Sequence, residues 1–381
     1  MVLIRQGLGR HLLVAAFCAV SVSCATPPAA PPEPAPKVIP KAAPSPAPTP
    51  APARKAPVAP SAELRIAAVG DLMLGGTAAP EMQKYGYDYP FEQTKNILKQ
   101  ARIVFANLEG PLTDAGTAEA AKQYVFRSPP DKVAPALARA GFKVVSLANN
   151  HTLDYGPEGL EDTRAALKKA GIRYAGAGRN DTEARQPVHM MAGGVTVAFL
   201  AYSLTFPEEF WAGPDKPGTA FGHERHVRAD VATARHTADI VVVSFHWGQE
   251  GKTGLRDYQV QLAHAAIDAG ASAVLGHHPH VLQGVEHYKD GVILYSLGNF
   301  AFGSYSNTAT RSAIALLTFR DKQWRELRMI PLNVKNAEVV FQPHPLVGRD
   351  ATEVVEHLQQ LSQLLGTTLE NRDGVAVLVA E

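Results

Sequence analysis

An alternation of short apolar runs and helix-like segments, beginning near residue 61, most constrains the fold of this chain. Glycine follows several of the helix-like segments and is common just past a helix C-terminus. Strand-then-helix alternation is typical of an α/β domain built on a buried sheet. The apolar runs cover residues 64–69, 103–106, 143–148, 240–245 and 273–275, and the helix-like segments cover 91–101, 131–140, 158–170, 227–237 and 256–269.

Turn dipeptides add antiparallel strands to this pattern. Gly193-Gly194 and Asp290-Gly291 each separate two strand-like runs, so both positions favour hairpins and the sheet is predicted to be mixed. Further strand-like runs lie within 312–334, and a helix and a final strand are predicted at 351–365 and 375–379. We therefore predict a folded domain over residues 61–335 with a C-terminal extension, 336–381, packed on it.

The N-terminus is typical of an export signal, predicted to cover residues 1–24. Arg5 and Arg10 precede an uncharged, mostly apolar run at 12–22, which is shorter than the roughly 20 residues of a membrane span. Cys24 follows this run as the lipidated cysteine does in a bacterial lipoprotein signal, although Ser21 stands where leucine is usual. Lipidation at Cys24 and ordinary cleavage at the small residues both remain open. Either way we expect export to the cell envelope; with lipidation, the protein is anchored to a membrane and faces the periplasm or exterior.

Residues 25–60 are predicted to be a disordered linker. They hold 14 of the 29 prolines, interleaved with alanine, and such a segment cannot bury enough apolar surface to fold.

Charge and cysteine content exclude two classes of site. The chain has 37 basic and 36 acidic side chains, which argues against a nucleic-acid partner held by a basic face. Its two cysteines, Cys18 and Cys24, both lie in the first 24 residues. A metal site in the folded domain must therefore use histidine, carboxylate or amide ligands.

Residues able to ligate a metal follow each of the five apolar runs. Ligands bind at the carboxyl ends of the strands in open α/β sheets, so these side chains are expected to meet at one edge. Any one of them alone has an ordinary explanation as a turn, cap or surface residue, but the five together predict a metal centre. Carboxylate, amide and imidazole donors suit one or two divalent ions, with Mn, Fe or Zn the expected metals. The candidates are Asp71, Glu109, Asn150 or His151, His246, and His278 or His280.

These residues lie in segments that resemble the CapA branch of the calcineurin-like metallophosphoesterases, the bacterial capsule and poly-γ-glutamate biosynthesis proteins. The ordered set of motifs covers residues 64 to about 335. The segments are Gly70-Asp71-Leu72-Met73-Leu74-Gly75, Asn107-Leu108-Glu109, Asn149-Asn150-His151-Thr152-Leu153-Asp154-Tyr155-Gly156, His246-Trp247-Gly248-Gln249-Glu250, Gly276-His277-His278-Pro279-His280 and Tyr295-Ser296-Leu297-Gly298-Asn299-Phe300.

The resemblance implies a metallophosphatase-like fold of the α/β class. The expected architecture is a four-layer α/β/β/α sandwich with mixed sheets and a short C-terminal helix-strand extension. It also implies that His151 is the acid that protonates the leaving oxygen and that Glu109 stands where an aspartate normally bridges two metals. The implied metal ligands are Asp71, Glu109, Asn150, His246, His278 and His280.

Two residues depart from the superfamily pattern. The first strand carries Met73 where the superfamily has a histidine ligand, and a thioether binds hard cations poorly. Glu109 is one methylene longer than the usual aspartate. Either His277 or Glu250 completes the depleted position, or only one ion binds tightly.

Four further residues are candidates for the site. Asp154, assigned a catalytic role, either orients the imidazole of His151 or caps the following helix. Arg127, Glu250 and Asn299 are predicted to bind substrate. Arg127 would otherwise be a solvated loop residue, and Asn299 a turn residue.

The resulting functional prediction is an envelope protein of capsule or poly-γ-glutamate type polymer biosynthesis or export, with a metal-dependent phosphoesterase-like hydrolase centre. The alternative is a non-catalytic, metal-assisted module that binds an anionic polymer within an envelope synthase complex. A third option is a hydrolase of envelope peptides or glycans. Expected partners are an anionic polymer or a phosphorylated envelope intermediate, membrane synthase subunits and, through the lipid anchor, the membrane.

Overall fold

A computed structural model describes residues 63–380 of the chain. The predicted export signal, the linker at 25–60 and Cys24 lie outside the described residues, and the predictions about them stay predictions. None of the helices within residues 63–380 has both the length and the apolar content needed to span a membrane.

Most of the strands belong to two sheets. In chain order the strands are β1 (Glu63–Met73), β2 (Ile103–Leu108), β3 (Phe142–Ser146), β4 (Arg173–Ala175), β5 (Ala177–Gly178), β6 (Val188–Ala192), β7 (Val195–Ser203), β8 (Gly218–Thr219), β9 (Ile240–His246), β10 (Ala273–His277), β11 (Val285–Tyr288), β12 (Gly291–Leu294), β13 (Asn299–Phe302), β14 (Arg311–Arg320), β15 (Gln323–Asn333), β16 (His344–Pro345), β17 (Glu370–Arg372) and β18 (Val375–Val379).

Helices connect many of these strands. They are α1 (Ala79–Tyr85), α2 (Lys95–Leu98), α3 (Pro130–Ala140), α4 (Gly156–Lys169), α5 (Asp181–Ala184), α6 (Glu224–Arg235), α7 (Asp257–Asp268), α8 (Asn336–Val339) and α9 (Gly348–Gln363), with short 3-10 turns at Gly76–Ala78, Tyr89–Phe91 and Glu208–Phe210.

Both sheets mix parallel and antiparallel pairs, as predicted. The first has the order β17-β18-β15-β14-β1-β2-β3-β4, with β13 beside β1 and β16 beside β15. Its β1 to β4 segment is parallel and its β14, β15, β17 and β18 strands pair antiparallel. The second sheet has the order β11-β12-β10-β9-β7-β6, with a parallel centre and an antiparallel strand at each edge.

Apolar residues of β1 show how the two sheets are layered. Leu64, Ile66 and Ala68 face the core between the sheets, whereas Ala67 and Val69 face a second core on the other side. This alternation follows the two-residue period of a strand. Helices α3 and α4 cover that second core, and α6 and α7 cover the outer face of the second sheet. The four-layer α/β/β/α sandwich is therefore confirmed.

Aromatic and aliphatic side chains pack between the two sheets. The stacked rings of Phe105 on β2 and Phe199 on β7 have centroids 5.6 Å apart and join the two inner faces. The C-terminal helix α9 adds Val354, Val355 and Leu358 to this core, and β18 extends the first sheet by pairing with β15. The domain boundary at residue 335 stays a prediction.

One predicted helix is wrong. Residues 91–101 form only the four-residue helix α2, preceded by a 3-10 turn at Tyr89–Phe91. Thr94 lies between the two and its hydroxyl donates to the carbonyl of Phe91, a local bond that competes with helix continuation.

The strand registers bring the predicted site residues to one edge. Asp71 at the end of β1 is level with Asn107 of β2 on one side and with Asn299 of β13 on the other. In the second sheet, His246 of β9 is level with His277 of β10. The carboxyl ends of the two sheets thus face a common cleft.

Candidate metal centre

The predicted metal ligands meet at this edge. Asn150 joins them, because its Oδ1 lies 2.8 Å from His246 Nε2. The other donors form three overlapping groups, in each of which one ligand atom per residue lies within 4.8 Å of the others. The groups are Asp71 with Glu109 and His280, Glu109 with His246 and His278, and Glu250 with His278 and His280.

Glu109 belongs to two of these groups. Its Oε1 lies 3.7 Å from His280 Nε2 and 4.0 Å from His246 Nε2. Bonds of about 2.0–2.2 Å allow two donors on one ion to be at most about 4.4 Å apart. Glu109 is therefore placed to share its carboxylate between two neighbouring cation positions.

Two buried atoms of the site indicate that a cation belongs there. Among the described residues, neither Glu109 Oε1 nor His278 Nδ1 has a hydrogen-bond partner. Glu109 is completely buried and His278 is 8% exposed. Buried polar atoms are normally paired, and each unpaired one is costly. The orphaned carboxylate oxygen among imidazole, amide and carboxylate donors fits a divalent cation.

The imidazoles on the second sheet are neutral, as metal ligands must be. Burial, reinforced by the neighbouring histidines, lowers the pKa of His246 well below its usual value. Burial and the charge of His280 lower the pKa of His278 to about 3. Both rings therefore carry a lone pair near neutral pH.

His280 shows the opposite behaviour, because it lies between the carboxylates. Burial acts to lower its pKa, but the charge of Glu109 and the hydrogen bond to Asp71 raise the pKa of His280 to about 10. Burial and the charge of Asp71 raise the pKa of Glu109 well above its usual value. The paired buried carboxylates require positive charge. The His280 imidazolium supplies it without a cation; a divalent ion would supply it instead, and His280 would then bind the ion as the neutral ring.

Asn107 fixes the geometry of this cluster, and sequence reasoning missed it. It is buried on β2, two residues before Glu109 and on the same face of the strand. Its Nδ2 lies 2.9 Å from Asp71 Oδ1, 3.1 Å from Glu109 Oε2 and 3.3 Å from His246 Nδ1. Its own Oδ1 accepts a hydrogen bond from Asn149 Nδ2. The spacing of Asn107 and Glu109 at i and i+2 was the signal that could have found it.

The predicted acid, His151, lies beside the ligand groups and is held by Asp154. His151 Nδ1 and Asp154 Oδ2 are 2.7 Å apart. Helix α4 starts at Gly156 behind Tyr155, and no side chain caps it there. Of the two roles considered for Asp154, the contacts of its side chain favour orientation of His151. Burial lowers the pKa of His151, although its hydrogen bond and ion pair with Asp154 act against this shift.

Asp154 also anchors a loop over the site, here called the 114–127 loop. The backbone N–H of Phe126 donates to Asp154 Oδ2 over 2.7 Å, and the Phe126 ring packs on His151 with centroids 4.5 Å apart. The ammonium of Lys122 binds Asp154 Oδ1 and the carbonyl of Asn150, and lies 3.1 Å from His151 Nδ1. Nothing in the sequence pattern around Lys122 marked it as part of the site.

Of the remaining predicted residues, two lie at the ligand groups and two lie outside them. Asn299 makes a polar contact in the site, since its Oδ1 lies 2.9 Å from His280 Nδ1. Glu250 faces the histidine pair from an exposed loop. Arg127 is exposed on the 114–127 loop, its guanidinium 4.7 Å from the centre of the Tyr155 ring. His277 lies apart from the described ligand groups, because its ring nitrogens contact Ser244 Oγ and the Val69 carbonyl between the sheets.

Comparison with known proteins identifies the family to which this chain belongs. The family model for bacterial capsule synthesis protein PGA_cap matches residues 65–304, which include every donor named above. The chain belongs to the PGA_cap family. This confirms the predicted relation to capsule and poly-γ-glutamate proteins.

Individual relatives of this PGA_cap protein agree. The capsule biosynthesis protein CapA of Bacillus anthracis is 36% identical over 279 residues, covering 72% of this chain and 68% of that protein. The PGA biosynthesis protein CapA of Bacillus subtilis is 32% identical over 270 residues, covering 71% of each chain. Among solved structures, a hypothetical protein from Thermus thermophilus aligns with a TM-score of 0.45 at 17% identity, covering 71% of this chain and 99% of that one.

Proposed function

We propose that this PGA_cap protein is a metal-dependent, phosphoesterase-like hydrolase that acts in the biosynthesis or export of a capsule or poly-γ-glutamate type polymer at the cell envelope. Its substrate in this proposal is the anionic polymer or a phosphorylated envelope intermediate. Relatives named for capsule and PGA biosynthesis support the process. The site supports the chemistry.

The observation that carries the proposal is the shared position of Glu109. One group, with Asp71 and His280, would hold one cation, and the other, with His246, His278 and the Asn150 amide oxygen, would hold a second. When bound, two divalent cations polarise a phosphoryl group and activate a water molecule, with Mn, Fe and Zn suited to these donors.

The protein groups around the cations have separate tasks. Asn107 holds Asp71 and Glu109 in place through its amide. Asp154 accepts a hydrogen bond from the Nδ1–H of His151, which leaves Nε2 as the ring atom available to the substrate. Nε2 donates a proton to a leaving oxygen when the ring is protonated, and the Asp154 carboxylate stabilises that charged form.

The second candidate is a non-catalytic receptor that holds the anionic polymer through its metal and passes it to membrane synthase subunits. Met73 favours it, because the first strand lacks the histidine that the metallophosphoesterase enzymes carry there. The buried His151–Asp154 pair favours the enzyme, since binding alone does not require an oriented proton donor.

A single pair of variants separates the two candidates. The full chain loaded with Mn²⁺ is assayed on phosphomonoesters and phosphodiesters, and its binding of poly-γ-glutamate is measured with and without Mn²⁺. For an enzyme, His151→Ala keeps its Mn²⁺ and loses about 10²–10⁴ in rate, while the exposed control His236→Ala keeps its rate. Wild-type protein without turnover but with metal-dependent polymer binding supports the receptor instead.

Membrane attachment through Cys24 is the localisation part of the proposal. Cys24→Ala is expected to release the protein into the soluble fraction or leave it unprocessed, while Cys18→Ala keeps it in the membrane fraction. Unchanged size and membrane association of Cys24→Ala would rule out the lipid anchor.

A further inference from the structure

The first strand leaves one cation position short of a protein donor. Met73 lies two residues after Asp71, on the same face of β1, and its thioether is a poor ligand for a hard cation. The group of Asp71, Glu109 and His280 therefore has three protein donors. The neighbouring position, formed by Glu109, His246 and His278, has a fourth in the amide oxygen of Asn150.

A glycine-rich loop brings another carboxylate to the His278 and His280 pair. Gly248 and Gly251 both have positive φ, 86° and 68°, which lets the chain turn back sharply after β9. The Gly251 N–H then donates to the carbonyl of Pro279 over 2.8 Å, between the two histidines His278 and His280. Glu250 is carried to the histidine pair by this bond.

The spacing of Glu250 suits a shared ion rather than a direct contact. One of its carboxylate oxygens lies within 4.8 Å of a ring nitrogen of His278 and of His280. The ion pairs of His280 among the described residues go to Asp71 and Glu109 instead. Donors on one ion with bonds of about 2.2 Å are separated by up to about 4.4 Å, so a cation fits between them with small adjustments.

Two independent observations point to a ligand at this place. His278 Nδ1 and Glu109 Oε1 are buried without a hydrogen-bond partner in the described part of the chain. His278 belongs to the Glu250 group, and Glu109 is grouped with His278 and with His280, the two histidines that Glu250 faces. The balance of charge also favours a cation at this place. Asp71, Glu109 and Glu250 together offer three negative charges, which balance two divalent ions better than two carboxylates do.

We propose that Glu250 is a metal ligand that completes the Asp71, Glu109 and His280 position in place of the histidine missing at Met73. The inference rests on the metal centre of the proposed function and not on turnover. Since Glu250 is exposed, this ion is the more accessible of the two and exchanges faster than the one bound at His246.

Metal stoichiometry tests this assignment. The metal-free full chain is titrated with Mn²⁺, and bound ions are counted by electron paramagnetic resonance and elemental analysis. Wild-type protein is expected to bind two Mn²⁺, one more tightly than the other. Glu250→Ala keeps the tight ion and weakens the second at least tenfold. Glu209→Ala, which removes an exposed carboxylate from the 3-10 turn at Glu208–Phe210, keeps both.

Other results would contradict either the assignment of Glu250 or the metal centre itself. If wild type and Glu250→Ala both bind two ions with equal affinities, or both bind one, Glu250 is not a ligand and the inference is overturned. If wild type binds no Mn²⁺, the metal centre of the proposed function fails with it. Because Glu250 is exposed, thermal unfolding of the metal-free variant is expected to match wild type, which separates lost binding from lost folding.

Discussion

The hydrogen bonding of polar groups differs between the two ends of the sandwich. At the carboxyl ends of the strands, Glu109 Oε1 and His278 Nδ1 are buried without partners, and His278 and His280 have φ values of 93° and 59°. At the opposite end, the polar atoms are satisfied. Asp239 accepts from the Thr196 N–H and pairs with Lys322, and the carbonyls of Ala238 and Asp239 accept from Arg235.

Backbone conformation shows the same contrast. Asp321 and Lys322 also have positive φ, but they form the two-residue turn between β14 and β15, where this conformation matches the strand twist. His278 is buried, and a non-glycine residue in such a region costs on the order of 1–3 kcal/mol. Strain and unpaired atoms thus concentrate where a ligand is expected. A bound cation would relieve part of this cost and stabilise the fold.

The largest effect is expected when a metal ligand at the carboxyl ends of the strands is removed. His246→Ala deletes the buried imidazole that links Asn150 and Glu109, and we expect metal affinity to fall by at least about 100-fold, more than the loss typical of an outer hydrogen-bond partner. Elemental analysis after dialysis and the Mn²⁺-induced rise in Tm measure the change.

His236→Ala serves as the control, because this histidine is exposed at the C-terminal end of α6 and belongs to none of the ligand groups. It should bind metal like wild type. Equal metal content in both variants would mean that the buried cluster is not where the metal binds.

Removal of the loop anchor gives the next largest effect. Asp154→Asn keeps the shape of the side chain but loses the charge that Lys122, His151 and the Phe126 N–H contact. Hydrogen bonds to charged groups contribute about 1.5–3 kcal/mol, so a loss of this size is expected in urea unfolding. The 114–127 loop should also become more sensitive to limited proteolysis.

Asp162→Asn is the matched control, since its carboxylate accepts from the Thr113 hydroxyl on the surface of α4. It weakens one partly buried hydrogen bond and should therefore cost less than Asp154→Asn, whose carboxylate has three partners, and it should leave proteolysis of the loop unchanged. A similar loss in both variants would show that Asp154 acts only as a local hydrogen-bond acceptor.

Residues whose role follows from local pattern were predictable from the sequence. The strands that end in Asp71, His246 and the His278–His280 pair are recognisable as apolar runs followed by ligands, and their order resembles one family. The spacing of Asn107 and Glu109 could have placed Asn107 near the site, but its contacts, and any role of Lys122, were not predictable in this way. Asn107 acts through contacts with residues up to 139 positions away, and Lys122 lies in a loop without periodicity. Tertiary contacts, not composition, define both.

A variant of Asn107 therefore tests contacts that the structure shows and the sequence pattern did not predict. Asn107→Leu removes the amide that holds Asp71 and Glu109 while keeping a side chain of similar size, and metal affinity should fall about 10–100-fold. Gln342→Leu replaces another buried amide, one that donates to the Tyr89 carbonyl, and should lower stability without changing affinity. Isothermal titration with Mn²⁺ compares the two. Equal affinities would reduce Asn107 to a core residue.

The smallest effect is expected at the opposite end, where the polar groups are satisfied. The hydrogen bond from Lys322, together with that from the Thr196 N–H, lowers the pKa of Asp239. A carboxyl whose folded pKa is depressed stabilises the fold above its unfolded pKa of about 3.9, and this stabilisation is lost as pH falls through the folded value. Asp239→Asn should therefore cost at most about 1 kcal/mol at pH 7, the range of exposed ion pairs, and nothing near pH 2. Denaturant midpoints of wild type and variant across pH 2–7 measure this difference. A cost larger than that of Asp154→Asn, or one that persists at pH 2, would mean that this end of the sandwich depends on its polar groups as strongly as the metal end does.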